Sequence, residues 1–288
     1  MVQVRIVAPA SPRMECDKEG ILEGFKQMGV EASFGAHAFD FERFMAGSDT
    51  HRAQDLMDAF SDPNVDVIVA LRGGYGSGRL LDLLDYDFIR AYAKPFFGFS
   101  DVTALQLGLL AKAGVISFSG MIASYLLREN AAQIKEAFCR IYAHDPLRFE
   151  GLKTRVGGVV SGRLIGGNLS VMAGLIGTPY MPDLTGAVLL LEEVAEEPYK
   201  IDRLLMQFKQ AGIFDKINGV VLGDFYKCLA KDPLDGTVEE VLHEHFDCLG
   251  KPVVSGLKYS HNQNAVILPI GAMVDLDADK GILKINEY

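Results

Sequence analysis

The sequence predicts an α/β protein with a parallel sheet in its first half and a smaller, mixed α/β domain in its second. Three observations predict it. Strand-like and helix-like segments alternate from Val2 to Phe118, the pattern of a parallel sheet with helical crossovers. The run Val67-Ile68-Val69-Ala70 shows no polar alternation, as a strand buried on both faces requires. After about Ala143 the character shifts to glycine turns and β-branched runs.

Taken in order, Val2 to Ala8 is β-rich, and Asp17 to Met28 sets Ile21, Phe25 and Met28 on one helical face. Val30 to Phe34 predicts a short strand, His51 to Ser61 a helix, and Asp66 to Leu71 a buried strand. A glycine-dense turn follows, then helical character from Leu80 to Ala93 and a short strand before Ser100. Val102 to Ala113 reads as a helix and Val115 to Phe118 as a strand. His144-Asp145-Pro146 breaks the helix before it, and the polar stretch to Gly158 suits a linker. The domains are therefore expected at 1–145 and 155–288. In the second, Gly157 to Ser161, Ala187 to Glu192 and Gly219 to Leu222 are strand-like. Asn168 to Ile176, Ile201 to Ala211 and Thr237 to Phe246 are helix-like.

Composition narrows the function. The chain has 288 residues, 49% of them hydrophobic, ample for a real core. Its formal charge is −10, which argues against nucleic acid or an anionic membrane as partner. No secretory signal and no apolar run of spanning length is visible, so a cytoplasmic protein is expected. The four cysteines, Cys16, Cys139, Cys228 and Cys248, form no CxxC pair, and free thiols are the economical reading. No metal or cofactor is expected. His243-Glu244-His245 has i, i+2 spacing, which parts the rings on a helix. His37, His51 and His144 offer no constellation. The absence of tryptophan removes one common stacking platform for a base.

Ser100 is the strongest chemical candidate. It stands between the apolar strand Phe96-Phe97-Gly98-Phe99 and the apolar helix that begins near Val102. A serine at such a junction is pushed out of the sheet edge beside the first N–H groups of the helix, which can stabilise an oxyanion. Taken alone the segment favours an N-cap serine, and Gly98-Phe99-Ser100-Asp101-Val102 lacks the last glycine of a GxSxG elbow. Arg72-Gly73-Gly74-Tyr75-Gly76-Ser77-Gly78 follows a buried strand but is neither a P-loop nor a good GxGxxG. Its use would be an oxyanion donor at the Gly74 N–H, with Arg72 and Tyr75 as substrate contacts. Among the acids after Leu191, Glu192 is nearest the apolar run and the one expected to be partly buried; a carboxylate there can orient a histidine. His261, in the polar loop Gly256 to Asn264, is the candidate base.

These motifs, in their shared order, resemble the LD-carboxypeptidase family of serine peptidases, which includes murein tetrapeptide carboxypeptidases and microcin C immunity peptidases. The resemblance runs through Ile6 to Ser11, Leu71 to Gly76, Gly98 to Leu105, Leu164 to Leu169, Gly177 to Tyr180, Leu191 to Arg203, Gly223 to Phe225 and Ser260 to Gly271. It implies a Ser-His-Glu triad at Ser100, His261 and Glu192, with Glu196 also near the acidic motif. It implies an oxyanion hole from the Gly74 and Asp101 N–H groups and a Rossmann-like or flavodoxin-like N-terminal domain. It also implies a site where the domains meet, and a homodimer. Ser119-Gly120-Met121 stands where many members carry His-Gly-Pro, which bears on substrate fit. The expected reaction is hydrolysis of an L-to-D amide in a short peptide, with release of terminal D-Ala from murein tetrapeptide. Two rivals remain: an immunity-type peptidase cleaving a peptidyl- or aminoacyl-nucleotide amide, and a non-catalytic nucleotide-binding protein.

Overall fold

The computed structural model describes residues 1–13, 15–262 and 266–288. Gln263 and Asn264 of the predicted histidine loop thus lie outside the described residues. The strands are β1 (Val2–Val7), β2 (Val30–Phe34), β3 (Val67–Ala70), β4 (Phe96–Gly98), β5 (Ser117–Ser119), β6 (Leu147–Phe149) and β7 (Lys153–Val156). They continue as β8 (Val159–Asn168), β9 (Val188–Val194), β10 (Gly219–Tyr226), β11 (Val253–Ser255), β12 (Leu268–Ile270), β13 (Met273–Asp277) and β14 (Ile282–Ile285). The helices are α1 (Lys18–Lys26), α2 (Asp49–Ser61), α3 (Tyr86–Ala91), α4 (Thr103–Ala113) and α5 (Ala131–Tyr142). After them come α6 (Leu169–Ala173), α7 (Pro198–Gln210), α8 (Ile213–Lys216) and α9 (Val238–Phe246).

The chain divides into two units. The first holds Met1–Ala143, Pro179–Pro182 and β12. Its sheet has the order β2-β1-β3-β4-β5-β12. The five N-terminal strands are parallel, and β12 closes the edge antiparallel to β5. The order 2-1-3-4-5 is flavodoxin-like and switches direction between β1 and β3; ligands in such sheets lie beyond the carboxyl ends at the switch. Those two ends carry Ala8 to Ser11 and Leu71 to Gly76. The helix α4 is apolar over most of its circumference, and every residue from Thr103 to Leu110, the polar Gln106 included, is buried, as a helix within the core demands. The predicted helix from Leu80 to Ala93 is two pieces, a 3-10 segment Ser77–Leu83 and α3. Asp85 breaks it: extended at ψ 93°, it accepts the Phe88 N–H and starts a new helix.

The second unit has one eight-stranded sheet, ordered β6-β14-β13-β8-β9-β10-β11-β7. Its centre, β8-β9-β10-β11, is parallel, and both edges are antiparallel. The linker expected between His144 and Gly158 is not a linker. It contains β6 and β7, which take opposite edges of this sheet, on β14 and β11. Each is only three or four residues long, and its partner lies far along the chain, so no local pattern announces it.

The histidine reading also needs correction. Asp40 Oδ2 lies 2.9 Å from His37 Nδ1 and 3.0 Å from His51 Nδ1, so two of the three histidines do form a constellation. In α9 the two rings turn to different carboxylates: His243 Nδ1 to Asp247 (2.5 Å) and His245 Nε2 to Asp202 (2.7 Å). Among the described residues no helix is long and apolar enough to cross a membrane.

Candidate active site

In the first unit the backbone itself marks Ser100. β4 ends at Gly98, Phe99 is fully extended (φ −163°, ψ 162°), and Ser100 then takes φ +64°. A serine pays a steric penalty in this left-handed region, and such strain gathers at functional turns. The capping alternative fails. The 3-10 turn Ser100–Val102 is flanked by Phe99, α4 is flanked by Val102, and neither start has a side-chain capping bond. The missing elbow glycine also has an explanation. A Cβ on Gly98 would stand 2.3 Å from Val102 Cγ1, so the valine occupies space that Gly98 leaves open.

The glycine loop lies against this serine. A Cβ on Gly73 would come within 2.8 Å of Ser100 Cβ and 3.1 Å of its Oγ. Gly74 has φ +115°, and a Cβ there would strike Ser11 Oγ at 2.4 Å. Ser11 Oγ in turn accepts the Tyr75 N–H at 3.0 Å. Gly73→Ala is therefore expected to displace the serine by several tenths of an ångström and to lower turnover roughly a hundredfold. Steady-state kinetics on protein with an unchanged far-UV spectrum measures this.

Asp101 ties loop and turn together. Its buried carboxylate accepts the Gly76 N–H (3.3 Å) and Ser77 N–H (2.8 Å), and its carbonyl accepts the Ser77 hydroxyl (2.6 Å). Arg52, buried beneath the loop, donates to Gly76 O (2.9 Å) and to Pro9 O, and is clamped by Asp49. Asp101→Ala leaves two buried N–H groups bare. It should cost about 1.5–3 kcal/mol, the range for bonds to a charged acceptor, read as a lower urea midpoint. The family resemblance pointed to the Asp101 N–H; the side-chain role was missed.

Arg72 is half-buried and donates to Pro12 O at 2.9 Å. Burial, reinforced by the nearby Arg13 charge, holds its pKa below the usual guanidinium range. Among the described residues no carboxylate forms an ion pair with Arg72 or Arg13, and Arg13 Nε is buried without a hydrogen-bond partner. Arg13 belongs to no motif and was missed. Tyr75 is exposed and packs edge-on against Phe44 at 5.4 Å.

In the second unit, His261 Nδ1 lies 2.8 Å from Glu192 Oε2. The Glu192 side chain is 0% exposed and that of His261 16%. Glu192 sits on β9 directly opposite Asn168 of β8. Asn168 Nδ2 donates to Glu192 Oε1 (3.1 Å) and Glu193 Oε1 (2.9 Å). Its own oxygen caps α6 by accepting the Val171 N–H at 3.2 Å. Burial pushes the Glu192 carboxyl above its ordinary pKa; the hydrogen bond and charge of His261, and the Asn168 bond, pull it back only in part. Glu196, the rival acid, instead meets Lys200 at 3.3 Å. Asn168 was quoted in a motif, but only the register of β8 on β9 reveals its position.

A strained serine set against a glycine loop, and a histidine held on a buried carboxylate, are the parts of a serine-type hydrolase. Comparison with known proteins makes the class specific. The LD-carboxypeptidase N-terminal domain matches residues 4–120 and the LD-carboxypeptidase C-terminal domain residues 161–276. The protein named "Probable murein peptide carboxypeptidase" of Bacillus subtilis is 30% identical, over 93% of this chain and 86% of its own. The microcin C7 self-immunity protein MccF of Escherichia coli is 30% identical, over 92% of this chain and 87% of its own. The crystal structure of muramoyltetrapeptide carboxypeptidase from Oxalobacter formigenes superposes with a TM-score of 0.89 at 31% identity, covering 100% of this chain and 99% of that one. The chain belongs to the LD-carboxypeptidase family and is a serine carboxypeptidase.

Proposed function

We propose that the protein removes the terminal D-residue from a short muropeptide, with Ser100 as nucleophile, His261 as base and Glu192 as orienting acid. The observation that carries this reading is the left-handed Ser100, strained and without a capping role. Nδ1 of His261 faces Glu192, so Nε2 is the nitrogen that takes the serine proton. The serine oxygen adds to the amide carbonyl, and the Gly74 and Asp101 N–H groups hold the oxyanion, worth about 3 kcal/mol per donor. The imidazolium then protonates the leaving amine, and water, deprotonated by the same nitrogen, releases the acyl group. Arg72 and Arg13, which have no carboxylate partner among the described residues, receive the free carboxylate of the substrate. That assignment explains an exopeptidase better than an endopeptidase. Tyr75 supplies a contact at the loop's exposed edge.

The MccF relationship keeps an immunity-type reading, cleavage of a peptidyl- or aminoacyl-nucleotide amide, as the second choice. The lack of tryptophan leaves tyrosine or phenylalanine to stack on a base. Family membership sets the non-catalytic reading aside. Incubation of pure protein with murein tetrapeptide and with an aminoacyl-nucleotide amide separates the other two. Release of D-Ala is expected; intact tetrapeptide beside a cleaved nucleotide amide would reverse the order. A cytoplasmic homodimer completes the reading, tested by fractionation and light scattering.

A further inference from the structure

We propose that His37, Asp40 and His51 form a binding site for a divalent first-row transition ion such as Zn²⁺, separate from the hydrolytic residues. His37 and Asp40 stand on the loop after β2, and His51 stands in the first turn of α2. One potential ligand atom from each, a ring nitrogen of either histidine and a carboxylate oxygen, lies within 4.8 Å of the other two, and both Nδ1 atoms face Asp40 Oδ2. The N···O separations are 2.9 and 3.0 Å. Ligands about 2.0–2.1 Å from one ion lie about 2.9 Å apart at a right angle and about 3.3 Å apart at a tetrahedral one. A small opening of the cluster therefore admits an ion. Imidazole with carboxylate is a donor set suited to zinc, iron, nickel or copper rather than to calcium or magnesium.

The ligands are held in advance by groups that do not ligate. The buried Asp55 accepts the His37 backbone N–H at 2.9 Å, fixing that end of the loop. Ser48 Oγ accepts the His51 backbone N–H at 3.2 Å, fixing the other. Between them Gly47 makes room for Asp40, because a Cβ at 47 would lie 2.7 Å from Asp40 Cβ. The two rings stack at 3.9 Å and turn the same nitrogen toward one oxygen. All three side chains are partly exposed, so an ion reaches them from water and keeps water in its remaining positions. No side chain of the proposed hydrolytic set is a ligand. The ion acts as a clasp between loop and helix, one residue before Arg52, whose guanidinium holds Gly76 O.

The test uses the full-length protein and Zn²⁺ or Co²⁺ alone. Calorimetry should show one saturable equivalent of Zn²⁺. The melting temperature should rise by about 5 °C or more at a hundredfold excess over the dissociation constant. Asp40→Asn and His51→Ala should each weaken binding at least about tenfold while leaving the metal-free melting temperature within a few degrees. Should a variant fold poorly, wild-type protein still answers: Zn²⁺ should protect both His37 and His51 from diethylpyrocarbonate, mapped by mass spectrometry. Absence of saturable binding up to millimolar Zn²⁺, equal affinity in wild type and variants, or unprotected histidines in the zinc-loaded protein would each overturn the site.

Discussion

Ser100→Ala is expected to lower kcat for tetrapeptide hydrolysis by roughly 10⁴- to 10⁶-fold, the cost of removing a serine nucleophile whose partners act as a unit. KM should change little, because the glycine loop is untouched and so are Arg72 and Arg13, the residues proposed to receive the substrate carboxylate. Ground-state packing gives a second reason to expect a clean effect. The residue is half-buried, not a cap, and its removal unpairs no helix N–H. Stability should hold, since the strain at φ +64° remains and no side-chain hydrogen bond of Ser100 is seen among the described residues. Single-turnover kinetics, with a fluorophosphonate probe for covalent labelling, measure both sides. Activity surviving in Ser100→Ala, or labelling elsewhere, would remove Ser100 from the mechanism.

Glu192→Gln is expected to cost kcat roughly 10³- to 10⁴-fold, because an amide can neither fix the imidazole tautomer nor stabilise its cation. Its effect on stability should run the other way. Burial raises the Glu192 carboxyl in the folded protein, so between the unfolded pKa of about 4.3 and the higher folded value the native state binds more protons than the unfolded one. Stability contributed by this group therefore falls as pH rises through that window, the reverse of a salt-bridged carboxylate. The glutamine variant lacks the effect. Melting curves of both proteins from pH 4 to 8 should show the difference moving in favour of Glu192→Gln with rising pH. A difference moving the opposite way would mean that the pairing with His261 outweighs burial.

What the sequence made legible was whatever rests on short-range pattern. The uninterrupted apolar run at Val67–Ala70 and the strand–serine–helix junction at Ser100 are local signals, and both elements formed where expected. Glu192 stood out because an acid directly after Val188–Leu191 has little choice but burial. Its hydrogen bond to His261 spans 69 residues, and only a resemblance could pair them beforehand. β6 and β7 were misread because edge strands of three or four residues are specified by distant partners. The His37–Asp40–His51 cluster escaped for a related reason. Its spacing fits no helical or turn motif, and it exists only because the loop after β2 folds back onto α2. Asp101 and Asn168 gave no compositional sign of their side-chain roles, which depend on the turns around them.

The strand Leu268–Ile270 has a practical implication for anyone wishing to express the nucleophile-bearing half by itself. It is the terminal member of a sheet whose other five members all lie before residue 120. Cutting the polypeptide near residue 143 would strip β5 of its neighbour and present unpaired amides along Ser117–Ser119, an invitation to intermolecular β-pairing. Such a fragment should precipitate or self-associate, and grafting Leu268–Ile270 back through a short tether should restore a monodisperse species. Synthesis must also pass residue 270 before that border is sealed, about 150 residues after β5 has emerged, leaving the nascent sheet dependent on its last-made strand.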